Sequence, residues 1–352
     1  MDVLHTLLAR DEDGGPAPAC DTGNAYDGRL GLRISSIFVI MIGSMFGAVF
    51  PVIAGQFRRS KYLDWAFFVA KFFGSGVIIA TAFIHLLAPA EEALTNECLT
   101  GPIKEYSWVE GIILMTIVVL FFVEMMVMRY ARFGQSHAHE LAHEHHHKEH
   151  TESSSEVLNQ RHIPGQDHLG HSREHQDPES AVHDTSLEEY MAQLTGVFIL
   201  EFGIIFHSVF IGLTLAVSGE EFVTLYIVLV FHQTFEGLGL GSRLATIDWP
   251  RSKRFTPYFL GIAFGLSTPI AIAIGLGVRQ SYPPEGYTTL IVNGVFDSIS
   301  AGILIYTALV ELMAHEFMFS SSMRKAPIQH VLAAFFLLCL GALLMALLGK
   351  WA

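Results

Sequence analysis

Two imidazoles and a carboxylate stand in stretches of chain otherwise too apolar to hold them. His232 and Glu236, within Phe231-His232-Gln233-Thr234-Phe235-Glu236-Gly237, are four residues apart. On a helix that spacing puts both on one face a single turn apart, where they can grip one ion. His207, within Phe206-His207-Ser208-Val209-Phe210-Ile211-Gly212, lies near the middle of the preceding apolar stretch. Only Ser218 to Glu221 separate the two stretches, so as helices they are antiparallel neighbours whose centres meet. Two neutral imidazoles and a carboxylate form a ligand set for Zn²⁺, with Fe²⁺, Mn²⁺ or Cd²⁺ less well discriminated, and Ser208 and Gln233 are the candidate additional ligands. The bland alternative, a buried His–Glu hydrogen bond locking two helices, suffices for a lone histidine. Three metal-competent groups at one depth favour a site. Gly203, Gly212, Gly237, Gly239 and Gly241 allow close helix approach, which plain packing would use equally.

Each charged side chain at the centre of a membrane helix costs about 2.5–3.5 kcal/mol on insertion scales, so those retained need a reason. His85, Glu201 and Asp297 are candidate pathway groups, as is the i, i+4 pair Glu311 and His315, placed where an ion would leave. The alternative for each is local satisfaction by a neighbouring helix.

Spanning elements must position these groups. The chain has 352 residues, 51% hydrophobic and only 16% charged, where a soluble domain carries about 25% charged residues. Eight windows reach the roughly 20 apolar residues that a hydrocarbon core requires. They run over 34–57, 65–90, 108–128, 191–218, 222–242, 255–278, 287–313 and 327–349. The expectation is an all-α integral membrane protein with eight transmembrane helices. Its regions are an extracytoplasmic acidic tail over 1–33, helices one to three over 34–132, a His-rich loop over 133–189, helices four and five with the metal site over 190–247, and helices six to eight over 248–352. No cleavable targeting segment is expected, because the first 30 residues are acidic and lack a long apolar run behind a basic start. A net charge of −13 argues against a nucleic-acid partner.

Lys and Arg are retained on the cytoplasmic side. Fourteen fall in the segments after windows one, three, five and seven, against six on the other side. Both termini are therefore expected outside the cytosol and the His-rich loop inside it. Lys71, near the cytoplasmic end of window two, could snorkel. The outer segments then carry fourteen carboxylates, an acidic mouth that concentrates cations, unless the acid merely aids solubility. Of the three cysteines, Cys20 and Cys98 fall on the oxidising side and Cys339 is expected to be buried in window eight, so a Cys20–Cys98 disulfide is expected.

Residues 133–189 hold twelve of the eighteen histidines, among them His137, His139, His143, His145, His146, His147 and His150. Without an apolar period the tract reads as disordered, able to bind metal loosely and so to sense or buffer it. His139-Glu140-Leu141-Ala142-His143 spells the HExxH of zinc metalloproteases. No apolar helix surrounds it, and the pattern recurs at His143-Glu144-His145-His146-His147, as His/Glu-rich composition yields by chance. A membrane metalloprotease is thus a remote alternative, and the chain is expected not to be an enzyme.

HSVFIGL at 207–213 and FHQTFEGLGLG at 231–241 resemble the ZIP (Zrt-, Irt-like) family of metal transporters, particularly its fungal and plant plasma-membrane branch. IHLLAPA at 84–90, STP at 267–269 and GILIYTALVEL at 302–312 are weaker matches. The resemblance covers all eight windows. It implies a 3+2+3 arrangement with an inverted repeat, a homodimer in the lipid bilayer of the plasma membrane, and import of Zn²⁺ to the cytosol by alternating access. Zn²⁺ is then a transported substrate, and no organic cofactor is implied. Transferred residue by residue, the primary metal site falls on His207, His232 and Glu236, with a cytosolic exit position on Glu311. Relatives with a two-metal centre carry Asn or acid ligands where this chain has Ser208, Ile211, Gln233 and Thr268, which favours a single-metal site. Uptake is expected to fall as external pH drops well below about 6.5, the ordinary histidine value, since imidazole binds metal when neutral. The alternatives are an iron or broad divalent-metal transporter, a metal-sensing membrane receptor, or an exporter. Eight spans argue against the six-span diffusion facilitators.

Overall fold

The computed structural model describes residues 19–56, 61–146 and 178–351, and their side chains except at 128, 131–189, 192 and 321. Among the described residues the chain is helical and holds eight helices long and apolar enough to cross a membrane. In chain order they are α1 (Leu30–Gln56), α2 (Lys61–Ala80, continuing through Thr81–Leu87 and Ala88–Leu94), α3 (Trp108–His146), α4 (Pro178–Val217), α5 (Phe222–Thr246), α6 (Thr256–Val278), α7 (Tyr287–Thr307, continuing through Ala308–Phe319) and α8 (Ile328–Leu348). The α4–α5 pair thus follows one triplet of helices and precedes another. The triplets correspond in detail: α1 and α6 each contain a proline, Pro51 and Pro269, while α2 and α7 each pass into a π-helical stretch.

The chain divides into two units. Residues 122–195 form one, consisting of the continuation of α3 to His146 and the start of α4 from Pro178. The helices therefore run into the tract expected to be disordered, whose Ala, Glu and Leu are good helix formers with no proline between Gly134 and His146. Residues 147–177 lie outside the described residues.

The other unit, 1–121 with 196–352, holds the packed core. Its α5 runs against α1 and α2, α1 also lies on α6, and α2 lies on α8 and α7. The α1–α5 crossing depends on absent side chains: a Cβ on Gly47 would strike the Thr234 carbonyl, and one on Gly241 the Ala48 carbonyl. In α6 the ring of Pro269 leaves the Gly265 carbonyl without its helical donor, and Ser44 Oγ of α1 donates to that oxygen at 3.0 Å. Outward faces carry large apolar side chains such as Phe38, Ile42 and Phe46 on α1 and Leu343 and Leu347 on α8, the surface a bilayer solvates. Cys339 lies in α8 as expected, but on its exposed face rather than buried.

Connectors at one end of the unit are tied to the N-terminal segment. A disulfide joins Cys20 to Cys98 in the α2–α3 connector. Asn24 Nδ2 donates to the carbonyls of Arg279 and Tyr282 beyond α6, at 2.5 and 3.0 Å. Arg33 explains why α1 begins at Leu30, inside the stretch assigned to the tail. Its fully buried guanidinium donates to the Leu215, Ala216 and Ser218 carbonyls at the end of α4 at 3.1, 3.1 and 2.5 Å, and to Asp27 Oδ1 at 2.8 Å. The Tyr26 and Phe222 rings flank it, 4.7 and 4.3 Å from its Cζ. A charge counted only for topology thus caps the helix that carries His207 and fixes its turn into α5.

Candidate metal site

α4 and α5 carry two copies of one pattern. His207, Phe210, Gly212 and Leu213 repeat as His232, Phe235, Gly237 and Leu238, with Ile211 standing where α5 has Glu236. Because the helices are antiparallel, the copies face each other: the His207 and His232 rings are 5.7 Å apart between centroids, and both residues are buried. His232 Nε2 lies 3.8 Å from Glu236 Oε2, one turn deeper, and His207 Nδ1 lies 3.8 Å from Asp297 Oδ1 of α7. These separations exceed a hydrogen bond. Both nitrogens of each imidazole, both Glu236 oxygens and Asp297 Oδ1 accordingly have no partner although they are buried.

His85 enters from the π-helical stretch of α2. Its ring stands edge-on to His232 at 4.5 Å, and its Nε2 is 3.0 Å from the Met345 carbonyl of α8. Widening of a helix to i→i+5 hydrogen bonding re-aims side chains, and such stretches recur at functional sites. Among the described residues no three His, Cys, Asp or Glu side chains close into a ready-made metal-holding group. The candidate ligands are neighbours that must draw together around an ion.

Above them lies a cavity of about 270 Å³, lined by α2, α4, α5 and α7. Exposed Glu92 marks its rim at the disulfide end, and His85, His207, His232 and Asp297 line it. Glu236 is not part of the lining and sits below it.

The other side of the site is a neutral network. Gln233 Nε2 donates to Ser208 Oγ at 3.2 Å and to Thr268 Oγ1 of α6 at 2.5 Å, leaving Gln233 Oε1 unpartnered. Ser208 and Thr268 are thus engaged with the amide, and the free acceptor among these three side chains is the Gln233 carbonyl. Hydroxyls and an amide, all uncharged, fill this side of the site.

The remaining sequence candidates divide. Glu201 is buried on α4, six residues before His207, with both oxygens unpartnered. Glu311 is buried on α7 and takes a hydrogen bond from Arg243 Nη2 at 2.8 Å. The structure does not bring His315 to it: His315 is exposed and meets Phe319 edge-on, with ring centroids 5.8 Å apart. The π-helical register brings Glu316, at i+5, to the Arg243 side instead, where Arg243 Nη1 meets it at 3.4 Å. Lys71 does not snorkel free but pairs with Glu316 at 2.5 Å. Sequence reasoning missed Arg243, Lys71 and Glu316 as site residues because pairing across spans leaves no mark in local spacing. His137, His139, His143, His145 and His146 lie on the helical backbone of α3 with their side chains outside the described residues, and His147 and His150 lie outside those residues altogether.

Eight helices long and apolar enough to cross a membrane define a multi-pass membrane protein, and its buried, partner-less imidazoles and carboxylates are candidate ligands for a divalent cation. The family model described as ZIP Zinc transporter matches residues 30–349, and the chain belongs to that family. It is 43% identical to Zinc-regulated transporter 2 of Saccharomyces cerevisiae, over 98% of this chain and 99% of that one. It is 42% identical to Zinc-regulated transporter 1 of the same yeast, over 94% and 90%. Zinc transporter 3 of Arabidopsis thaliana is 33% identical over 96% and 91%.

Proposed function

We propose that this chain imports Zn²⁺ across the plasma membrane into the cytosol by alternating access, binding the ion between α4 and α5. The observation that carries the reading is the gathering of unpartnered, buried polar atoms on His207 and His232, which line a cavity, and on Glu236 beneath it. Each such atom costs about 1–3 kcal/mol when left unmet, a cost that a bound cation removes. The Lys/Arg count supports an orientation with the disulfide end outside, both termini extracellular and the His-rich tract in the cytosol.

Zn²⁺ is gathered at the acidic rim by Glu92, passes His85 and Asp297, and sheds water onto His207, His232 and Glu236, with Gln233 Oε1 the best-placed additional ligand. Glu201 is the next stop. Contacts between α4 and α7 run antiparallel, with His207 by Asp297, Gly203 by Ile303 and Leu304, and Gly196 by Glu311, so Glu201 lies between the upper site and the exit at Glu311. A homodimer within the lipid bilayer rests on the family resemblance. The His-rich tract, not needed for the path, senses or buffers cytosolic metal.

The test is ⁶⁵Zn²⁺ flux into metal-free proteoliposomes, comparing the wild-type chain with Glu236→Gln. Saturable uptake that falls to background in the variant is expected. Unchanged uptake by Glu236→Gln would remove that residue from the site, and zinc binding without flux in the wild type would favour a receptor. An iron or broad divalent-metal carrier would instead show Fe²⁺, Mn²⁺ or Cd²⁺ displacing the tracer as well as unlabelled Zn²⁺ does.

A further inference from the structure

The four helices that line the cavity meet again beneath it. Arg243 follows Glu236 by seven residues on α5, two turns and about 10 Å further along the same face. Its guanidinium therefore lies under the metal site rather than beside it. Arg243 Nη2 pairs with Glu311 of α7 at 2.8 Å, Arg243 Nη1 reaches Glu316 at 3.4 Å, and Lys71 of α2 holds the other Glu316 oxygen at 2.5 Å. α4 closes the fourth side: a Cβ on Gly196 would lie 3.6 Å from Glu311 Cγ. The charges alternate along a chain from Lys71 through Glu316 and Arg243 to Glu311. Arg243 and Glu311 are buried, and Glu316 and Lys71 are only partly exposed.

We propose that Arg243 is a tethered cation that shuts the cytosolic side of the pathway, occupying the Glu311 and Glu316 carboxylates until the transported dication displaces it. The inference takes its purpose from the transport reading, but its evidence is separate. In this state the pathway is open above His232 and closed below Glu236, because the carboxylates that would receive the ion are already neutralised by the chain's own cations. A divalent ion reaching Glu311 replaces a single charge with two, so it competes where a monovalent ion does not. Release of Arg243 then severs the link from α5 to α7, and with it the one from α5 through Glu316 to Lys71 on α2. One event thereby frees three of the four helices that line the path. Arg243 is a positioning residue in this scheme: it touches the exit carboxylates and not the upper ligands.

The test reads accessibility, not flux. A thiol is introduced by Gly196→Cys in a Cys339→Ala background, where the other two cysteines are joined in the disulfide. Its labelling by a membrane-impermeant maleimide is followed from the cytosolic face of membrane vesicles. Labelling should be slow with Arg243 present, faster by about tenfold or more in Arg243→Ala, and slow again in Arg243→Lys, which keeps the cation. Glu316→Gln, which loosens Arg243 without baring Glu311, should give a rise of about threefold. Zinc-dependent thermal stabilisation through the upper site reports that each variant is folded. An unchanged rate in folded Arg243→Ala overturns the proposal, as does equal labelling of Arg243→Lys and Arg243→Ala. Should Arg243→Ala fail to fold, an unchanged rate in Glu316→Gln overturns it instead. Absent flux in the wild type would sink the transport reading and leave this comparison standing.

Discussion

α2, α4, α5 and α7 build two polar regions about two helical turns apart, and the two are finished in opposite ways. In the upper one, the nitrogens of His207 and His232 and the oxygens of Glu236 have no partner, and the nearest charged neighbours stand off at 3.8 Å. In the lower one, Arg243, Lys71, Glu311 and Glu316 are joined at 2.5 to 3.4 Å. A dry interior penalises unmet polar atoms, so a protein keeps them only where something outside the chain completes them. Paired charges have no such need of a ligand. Their breakage leaves an uncompensated charge, which makes them suited to holding helices together. The difference separates a place that waits for an ion from a place that resists opening.

The two regions should respond to apolar substitution with opposite signs. Arg243→Met leaves Glu311 buried without its cation, and should cost about 3–5 kcal/mol. In detergent the thermal midpoint of the metal-free protein should drop by many degrees. A midpoint that holds would show that the lower region is not a tight pairing and would erase the contrast.

Glu236→Leu should do the reverse. It removes two unmet oxygens from a buried position and should stabilise the metal-free protein by about 1–3 kcal/mol. The same change abolishes the stabilisation that zinc gives the wild type, about 2.7 kcal/mol at a hundredfold excess over its dissociation constant. A lower midpoint for Glu236→Leu without metal would mean that the carboxylate is satisfied within the chain, and the upper region would then resemble the lower.

How much of this was legible in the sequence follows from the range of each signal. The spans were readable because hydrophobic length is a local property, and the facing of His207 with His232 because a four-residue connector forces α4 against α5. The Cys20–Cys98 pairing needed only topology and the count of cysteines. Helix ends drifted where a long-range partner decides them: α1 starts before Arg33 because carbonyls at the end of α4, 182 to 185 residues away, receive its donors. The π-helical stretches were invisible, since i→i+5 bonding carries no compositional mark, and this turned the expected Glu311–His315 pair into Glu311 with Glu316. Arg243 and Glu311 are 68 residues apart. Nothing in the spacing of either announces the other, and Arg243 entered the reading only as a positive charge at a helix end.

The smallest effect tests the rim of the lower region. Lys71 and Glu316 touch at 2.5 Å, but their side chains are 21% and 15% exposed, against 7% each for Arg243 and Glu311. Water and salt therefore screen the outer pair more than the inner. A double-mutant cycle of Lys71→Gln with Glu316→Gln should give a coupling of roughly 1 kcal/mol or less, shrinking as sodium chloride is raised from low ionic strength to about 1 M. The corresponding cycle of Arg243→Gln with Glu311→Gln should give a larger coupling that salt hardly changes. If both cycles fade alike with salt, the inner pair is hydrated, and the lower region is a polar surface rather than a closed gate.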